Sequence, residues 1–279
     1  MKLVLTLLFS SLVGQAYIPN SQFIFLKLVK NHGSGDYRIE QEVTFPFGND
    51  QKVIKETWYS RNGQDFYLLA KGRGFHLERL YINGKAYAKS SNGQIVQLPW
   101  PKEFVEPWFL TTSTRDLTSL IRKADIANTS AFNWDPVKSL EKAESPDDLP
   151  VRLTRNRGVV MYSYGTPTPK DTEDLNPTLW VEQDRFVVRR IRYKSKTEII
   201  ADEFSEYAKN LSFPKTRMVN WSELSVPLRV VQITALGNGS SRTTNLLSYN
   251  SFVKNKENKT VVEENLVNNS IEDFYSRFR

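Results

Sequence analysis

The sequence predicts a mostly β protein with a few helices: one strongly curved antiparallel sheet, covered by helices on its concave side. Three observations predict it. Tyr37, Ile39, Val43 and Phe45 alternate with Arg38, Glu40, Glu42 and Thr44, the period-two pattern of a strand with one face in the core and one in water. Asn62-Gly63, Asn83-Gly84 and Asn92-Gly93 are tight hairpin signals. The helix-period stretches sit before, between and after two runs of strands, with no Pro/Gly/Ser linker between halves, which favours one covered sheet over two independent domains.

The elements follow in order. Lys2, the apolar run from Leu3 to Val13, and Gly14-Gln15-Ala16 have the order of a secretory signal, so residues 1–16 are expected to be a cleaved signal peptide. Asn20 or Ser21 can cap a first helix carrying Phe23, Leu26 and Leu28, with Gly33 as its stop. A meander follows: the strand around Tyr37 to Phe45, then Lys52 to Ser60, Asp65 to Lys71 and Glu78 to Ile82. Leu98-Pro99-Trp100-Pro101 and Pro107-Trp108-Phe109-Leu110 read equally as lips over a cavity or as core plugs. Leu117, Leu120, Ile121 and Ala124 make an amphipathic helix over Thr114 to Ala124. Pro136 to Pro150 is polar, with a short helical pattern from Val137 to Ala143. A second meander runs through Val151 to Thr154, Val159 to Tyr164, Leu179 to Val181, Phe186 to Lys194, Glu198 to Phe204, Thr216 to Trp221 and Pro227 to Leu236, with a proline-rich loop from Gly165 to Pro177. Residues 237–279 read as a polar C-terminal extension that regains a helical face at Ile271, Phe274, Tyr275 and Phe278.

Composition removes several functions. The chain has 279 residues, is 39% hydrophobic and 25% charged, and carries a formal charge of +7, which fits a globular fold. It contains no cysteine, so disulfides, thiolate metal sites and a cysteine nucleophile are excluded. With His32 and His76 as its two histidines, a multi-histidine metal site is not expected, and no cofactor or metal is. His32, at a helix end, reads as a cation favoured by the dipole; His76 reads as a surface or loop residue. Asp147-Asp148 and Glu173-Asp174 read as solvated loop carboxylates rather than as a pair facing each other across a glycosidase cleft. Export without cysteine suggests a bacterial protein of the periplasm.

Arg190, Arg192, Lys194 and Lys196 fall on one face of a strand. This stripe is a candidate electrostatic surface for an anionic membrane or an acidic partner protein; the alternative is a solvated face with cross-strand pairs to Glu198. Nucleic acid is not an expected partner.

From Leu179 to Ile191 the run Leu-Trp-Val-Glu-Gln-Asp-Arg-Phe-Val-Val-Arg-Arg-Ile resembles a hairpin of the outer-membrane lipoprotein-sorting carriers, the LolA-like family. Phe204-Ser205-Glu206-Tyr207 and Phe213-Pro214-Lys215 resemble the strands that follow it in that family. The resemblance spans residues 17–236 and implies a half-open antiparallel barrel with helices closing its concave side. It further implies a periplasmic, non-enzymatic carrier or binding protein that holds a lipidated protein or another acyl-chain ligand in an apolar cavity. Trp58, Leu69, Tyr81 and Trp180 are the expected cavity lining. The rival readings are an outer-membrane-associated β-barrel or structural protein, and an exported carboxylate hydrolase.

Overall fold

The computed structural model describes residues 18–47, 50–90, 92–126, 151–156, 158–165, 175–254, 261–262 and 269–279. The signal segment, the Val137–Ala143 pattern, Asp147-Asp148 and Glu173-Asp174 lie outside the described residues.

A helix α1 (Ser21–Lys30) precedes six strands: β1 (Asp36–Phe47), β2 (Asp50–Arg61), β3 (Asp65–Gly72), β4 (Phe75–Ile82), β5 (Lys85–Lys89) and β6 (Ile95–Leu98). Two helices, α2 (Pro107–Leu110) and α3 (Thr114–Lys123), lead to the second meander. Its strands are β7 (Val151–Asn156), β8 (Val159–Tyr164), β9 (Thr178–Glu182), β10 (Val188–Arg192), β11 (Glu198–Ala208), β12 (Leu211–Trp221) and β13 (Leu224–Ala235). After them come α4 (Ser241–Leu246), α5 (Tyr249–Lys254), the short β14 (Val261–Val262) and α6 (Asn269–Phe278).

These strands join one antiparallel sheet in the order β6-β5-β4-β3-β2-β1-β13-β12-β11-β10-β9-β8-β7, with β14 added beside β4. The two meanders therefore meet at their inner ends, where Ile39 faces Ile233 and Val43 faces Leu228. Among the described residues β6 and β7 are the two edges, so the sheet curves without closing.

Local chemistry explains the elements. Asn20 caps α1, its Oδ1 accepting the Phe23 N–H at 2.8 Å; Ser113 does the same for Asp116 on α3 at 3.4 Å. Asn62 and Asn83 hold positive φ beside Gly63 and Gly84, the geometry that Asn-Gly hairpins adopt. Gly63 is also required by contact: a Cβ there would lie 1.9 Å from the Leu110 carbonyl oxygen, where the hairpin presses against the end of α2.

The main core lies on one face of the sheet, beneath α1, α2, α3 and α6. Of the three apolar residues the sequence offers for the first helix, Leu28 is buried together with Ile24, Phe25 and Val29, while Phe23 and Leu26 are exposed. The Pro107–Leu110 segment is a core plug, with all four side chains buried and the Trp108 indole N–H donating to the Tyr193 hydroxyl at 2.7 Å. On the opposite face, Tyr59, Tyr67 and Leu80 are covered by Leu247 and Phe252. The extension after residue 236 thus clasps the sheet: α4 and α5 on the outer face, β14 against Phe75 and His76 of β4, and α6 in the concave core.

Candidate functional site

The concave face of β1–β4 and β12 forms a groove, and α6 lies in it. Ile271, Phe274, Tyr275 and Phe278 turn inward and are fully buried. Phe274 meets the Phe45 ring edge-on at 5.1 Å and the Trp221 ring at 5.5 Å. Tyr275 lies 5.0 Å from Phe75, and Phe278 lies 5.2 Å from Trp221. Each large apolar side chain removed from water in this way contributes about 1.5–3 kcal/mol.

At the end of α6 the groove floor becomes ionic. Arg279 is wholly buried; its Nε donates to Glu56 Oε1 and its Nη1 to Glu106 Oε2, each at 3.0 Å. Gln41 Nε2 and Trp58 Nε1 donate to the other Glu56 oxygen at 2.6 Å and 2.9 Å. Arg217 Nη1 reaches Glu106 Oε1 at 3.4 Å, and Arg217 Nη2 donates to the Gln41 amide oxygen. Arg79 Nη1 donates to the Tyr275 carbonyl at 2.6 Å and to the Arg279 carbonyl, and so satisfies the carbonyl end of the helix. Two carboxylates and two guanidiniums thus share one dry site, with a third guanidinium on the helix backbone. Arg217 Nε and Arg279 Nη2 are buried there without a hydrogen-bond partner among the described residues.

The charges shape one another. Burial pushes the Glu56 carboxyl up, but Arg279 and the Gln41 and Trp58 donors more than offset this and hold it below the usual carboxylate range. Burial outweighs Arg279 and Arg217 at Glu106, whose carboxyl is raised, with nearby Glu56 pushing the same way. Burial brings Arg217 down to about 10, against the pull of Glu106. In the loop that leads into α2, Glu103 receives Arg277 Nε at 2.7 Å and Nη2 at 2.9 Å, in a pair that is one-third exposed on the arginine side.

Trp58 and Tyr81 are on this concave face, buried in an aromatic cluster with Phe66, Trp100 and Phe104, whose rings lie 4.7–6.3 Å apart. The other two expected lining residues need correction. Leu69 is on the outer face, packed with Tyr59, Tyr67 and Leu80, because Phe66, Leu68 and Ala70 take the inward positions of β3. Trp180 also points outward, since Leu179 and Val181 fill the core; its ring sits 5.1 Å from the Arg190 guanidinium and 5.2 Å from that of Arg192.

The basic stripe is largely neutralised within the fold. Arg190 and Arg192 both donate to Glu198 at 2.6 Å. Arg189 bridges Glu182 at 2.5 Å and Asp202 at 2.6 Å. The strand ends at Arg192, so Lys194 and Lys196 lie in a turn rather than on its face. Lys194 instead joins Lys102, Lys123 and Trp100 around an open pocket of about 680 Å³. His32 is buried rather than cationic: desolvation lowers it to about 4, and Nδ1 donates to the Thr111 carbonyl at 2.8 Å.

The groove's ionic floor had no local signal in the sequence, because Glu56 and Arg279 stand 223 residues apart. Arg279, four places after Tyr275 and so on the same helical face, was the one available hint.

No family model matches the chain, and no curated protein does. Solved structures similar to it include a DUF1329 family protein from Desulfovibrio piger, with 12% identity over 82% of this chain and 96% of that one and a TM-score of 0.49. A LolA superfamily protein from Nitrosomonas europaea is 9% identical over 78% of this chain and 94% of its own, with a TM-score of 0.49. An outer membrane lipoprotein-sorting protein domain from Vibrio parahaemolyticus is 10% identical over 82% and 94%, with a TM-score of 0.45.

Proposed function

We propose that this chain is a periplasmic, non-enzymatic carrier or binding protein whose ligand is an acyl chain, free or carried on a lipidated protein. The observation that carries this reading is the groove itself. A curved, open sheet presents Phe45, Phe75, Trp58 and Trp221 to an apolar helix face, and a surface that takes up four large apolar side chains can take up an acyl chain at about 0.8 kcal/mol per methylene. The unclosed order of the described strands argues against the barrel reading. Glu56 and Glu106, the carboxylates buried in the groove, are engaged by guanidiniums beneath a helix rather than opposed across a cleft. With Glu103 paired to Arg277, the exposed Lys102, Lys123 and Lys194 outnumber Asp125 around that pocket and leave the α3 end of the sheet net basic, which suits an anionic membrane surface.

The test is to purify the protein natively, extract it with organic solvent and identify bound lipid by mass spectrometry, then titrate the delipidated protein with a dansyl-labelled acyl chain. Co-purified lipid and saturable fluorescence are expected. An empty extract together with a linear, non-saturating signal would overturn the reading.

A further inference from the structure

We propose that the groove binds a zwitterionic acyl amphiphile, with an ammonium beside a phosphate, in exchange for α6, so that the helix is the site's internal stand-in. This deepens the acyl-binding reading and rests on it. The stand-in shows what the groove recognises. It offers an apolar face to Phe45, Phe75 and Trp221, a cation to Glu56 and Glu106, and two carbonyl oxygens to Arg79. Any replacement must meet the same three demands.

Charge counting selects among acyl ligands. When Arg279 leaves, Glu106 keeps Arg217 but Glu56 loses Arg279, its ion-pair partner in the cluster, so one carboxylate is left without a cation on the groove floor. An unpaired buried charge is strongly unfavourable, so a molecule that brings a cation to Glu56 is favoured over one that does not. An ammonium, with three donors, can bridge two carboxylates. Arg79, released from the helix carbonyls, then faces the neighbouring phosphate, a charge-assisted contact stronger than the one it loses. A plain anionic amphiphile would serve Arg79 but leave Glu56 without a cation.

The exchange is also physically accessible. Buried ion clusters stabilise little in net terms, because desolvation offsets most of the attraction. Two of the cluster's guanidinium donors are already unpartnered among the described residues. The outward side of α6 is fastened at Arg277–Glu103, a partly exposed pair, and such pairs hold weakly.

The chain has no cysteine of its own, so the exchange can be followed by spin labels at E272C on α6 and K55C on β2, both exposed positions. The delipidated protein is titrated with lysophosphatidylethanolamine and, separately, with lysophosphatidylglycerol of the same chain length. The ethanolamine lipid should bind at least about tenfold more tightly, the cost of one poorly compensated charge, and the label distance should lengthen or broaden only as it saturates. Arg277→Gln, which loosens the internal competitor, should raise that lipid's affinity about two- to fivefold. Equal affinities for the two lipids, or saturable binding with the label distance unchanged, would overturn the exchange while leaving acyl binding in place. Failure of both lipids to bind the parent and Arg277→Gln alike would remove the acyl-binding reading as well.

Discussion

The two faces of β2, β3 and β4 each bury charge, and they do so differently. On the outer face, Glu78 receives Lys89 Nζ at 2.9 Å and the Tyr67 hydroxyl at 2.7 Å. These three residues sit on adjacent strands of one meander, so the polar partners of Glu78 are its sheet neighbours. On the concave face, Glu56 and Glu106 depend on Arg217 from β12 and on Arg279 from beyond α6. That network is complete only when the last helix has docked. A buried charge satisfied by strand neighbours is a structural detail of the sheet; one satisfied by a helix from the far end of the chain makes that helix's position an electrostatic event.

Four experiments would break or sharpen this contrast. The largest effect is expected from Glu56→Ala, which leaves Arg279 Nε and the Trp58 indole N–H without their acceptor and the Gln41 amide with only a 3.4 Å contact to Glu106. Breaking a buried pair from one side costs about 3–5 kcal/mol, readable as a shift in the urea unfolding midpoint. A loss below about 1 kcal/mol, the scale of an exposed pair, would mean that α6 is not held by this network.

Next comes acid. His32 titrates near 6.5 when unfolded and at about 4 when folded, so the unfolded chain binds the proton first as pH falls. Stability is therefore full above pH 6.5 and is lost progressively down to about pH 4, by roughly 3 kcal/mol if His32 acts alone. His32→Gln should flatten the unfolding free energy across that window. An unchanged slope would assign the acid sensitivity to other groups.

These two effects separate what the sequence discloses from what it hides. The meanders are legible because Tyr37, Ile39 and Val43 alternate with polar residues and because Asn62-Gly63 and Asn83-Gly84 specify their turns. The apolar face of α6 is legible at Ile271, Phe274, Tyr275 and Phe278. Facing is lost where both parities are bulky. Tyr67-Leu68-Leu69 and Leu179-Trp180-Val181 each offer apolar side chains to both sides, and the outer face of β3 is covered by α5 rather than by water. The outer-face cover was unreadable because α4 and α5 bury little more than Thr243, Leu247 and Phe252 from a polar stretch. The charge cluster was unreadable because its members come from distant strands and helices that only the fold brings together.

The smaller effects test the fastenings. Arg277→Gln removes the partly exposed pair with Glu103 and should cost no more than about 1 kcal/mol, measured as a small fall in Tm. A larger loss would make Arg277 part of the core rather than a latch. Smallest is the outer-face double change Glu78→Gln with Lys89→Met. Removing both charges of a buried pair is close to neutral, and the amide oxygen introduced on β4 can still accept from the Tyr67 hydroxyl, so Tm should hardly move. A double variant as damaged as Glu56→Ala would erase the contrast between the faces.

The central claim, that the concave groove takes a ligand at the expense of α6, is tested most directly by amide hydrogen exchange with and without saturating lysophosphatidylethanolamine. Protection across α6 should fall on binding while protection in β1 to β4 holds or rises, because the lipid replaces the helix against those strands. Saturable binding with α6 as protected as before would contradict it.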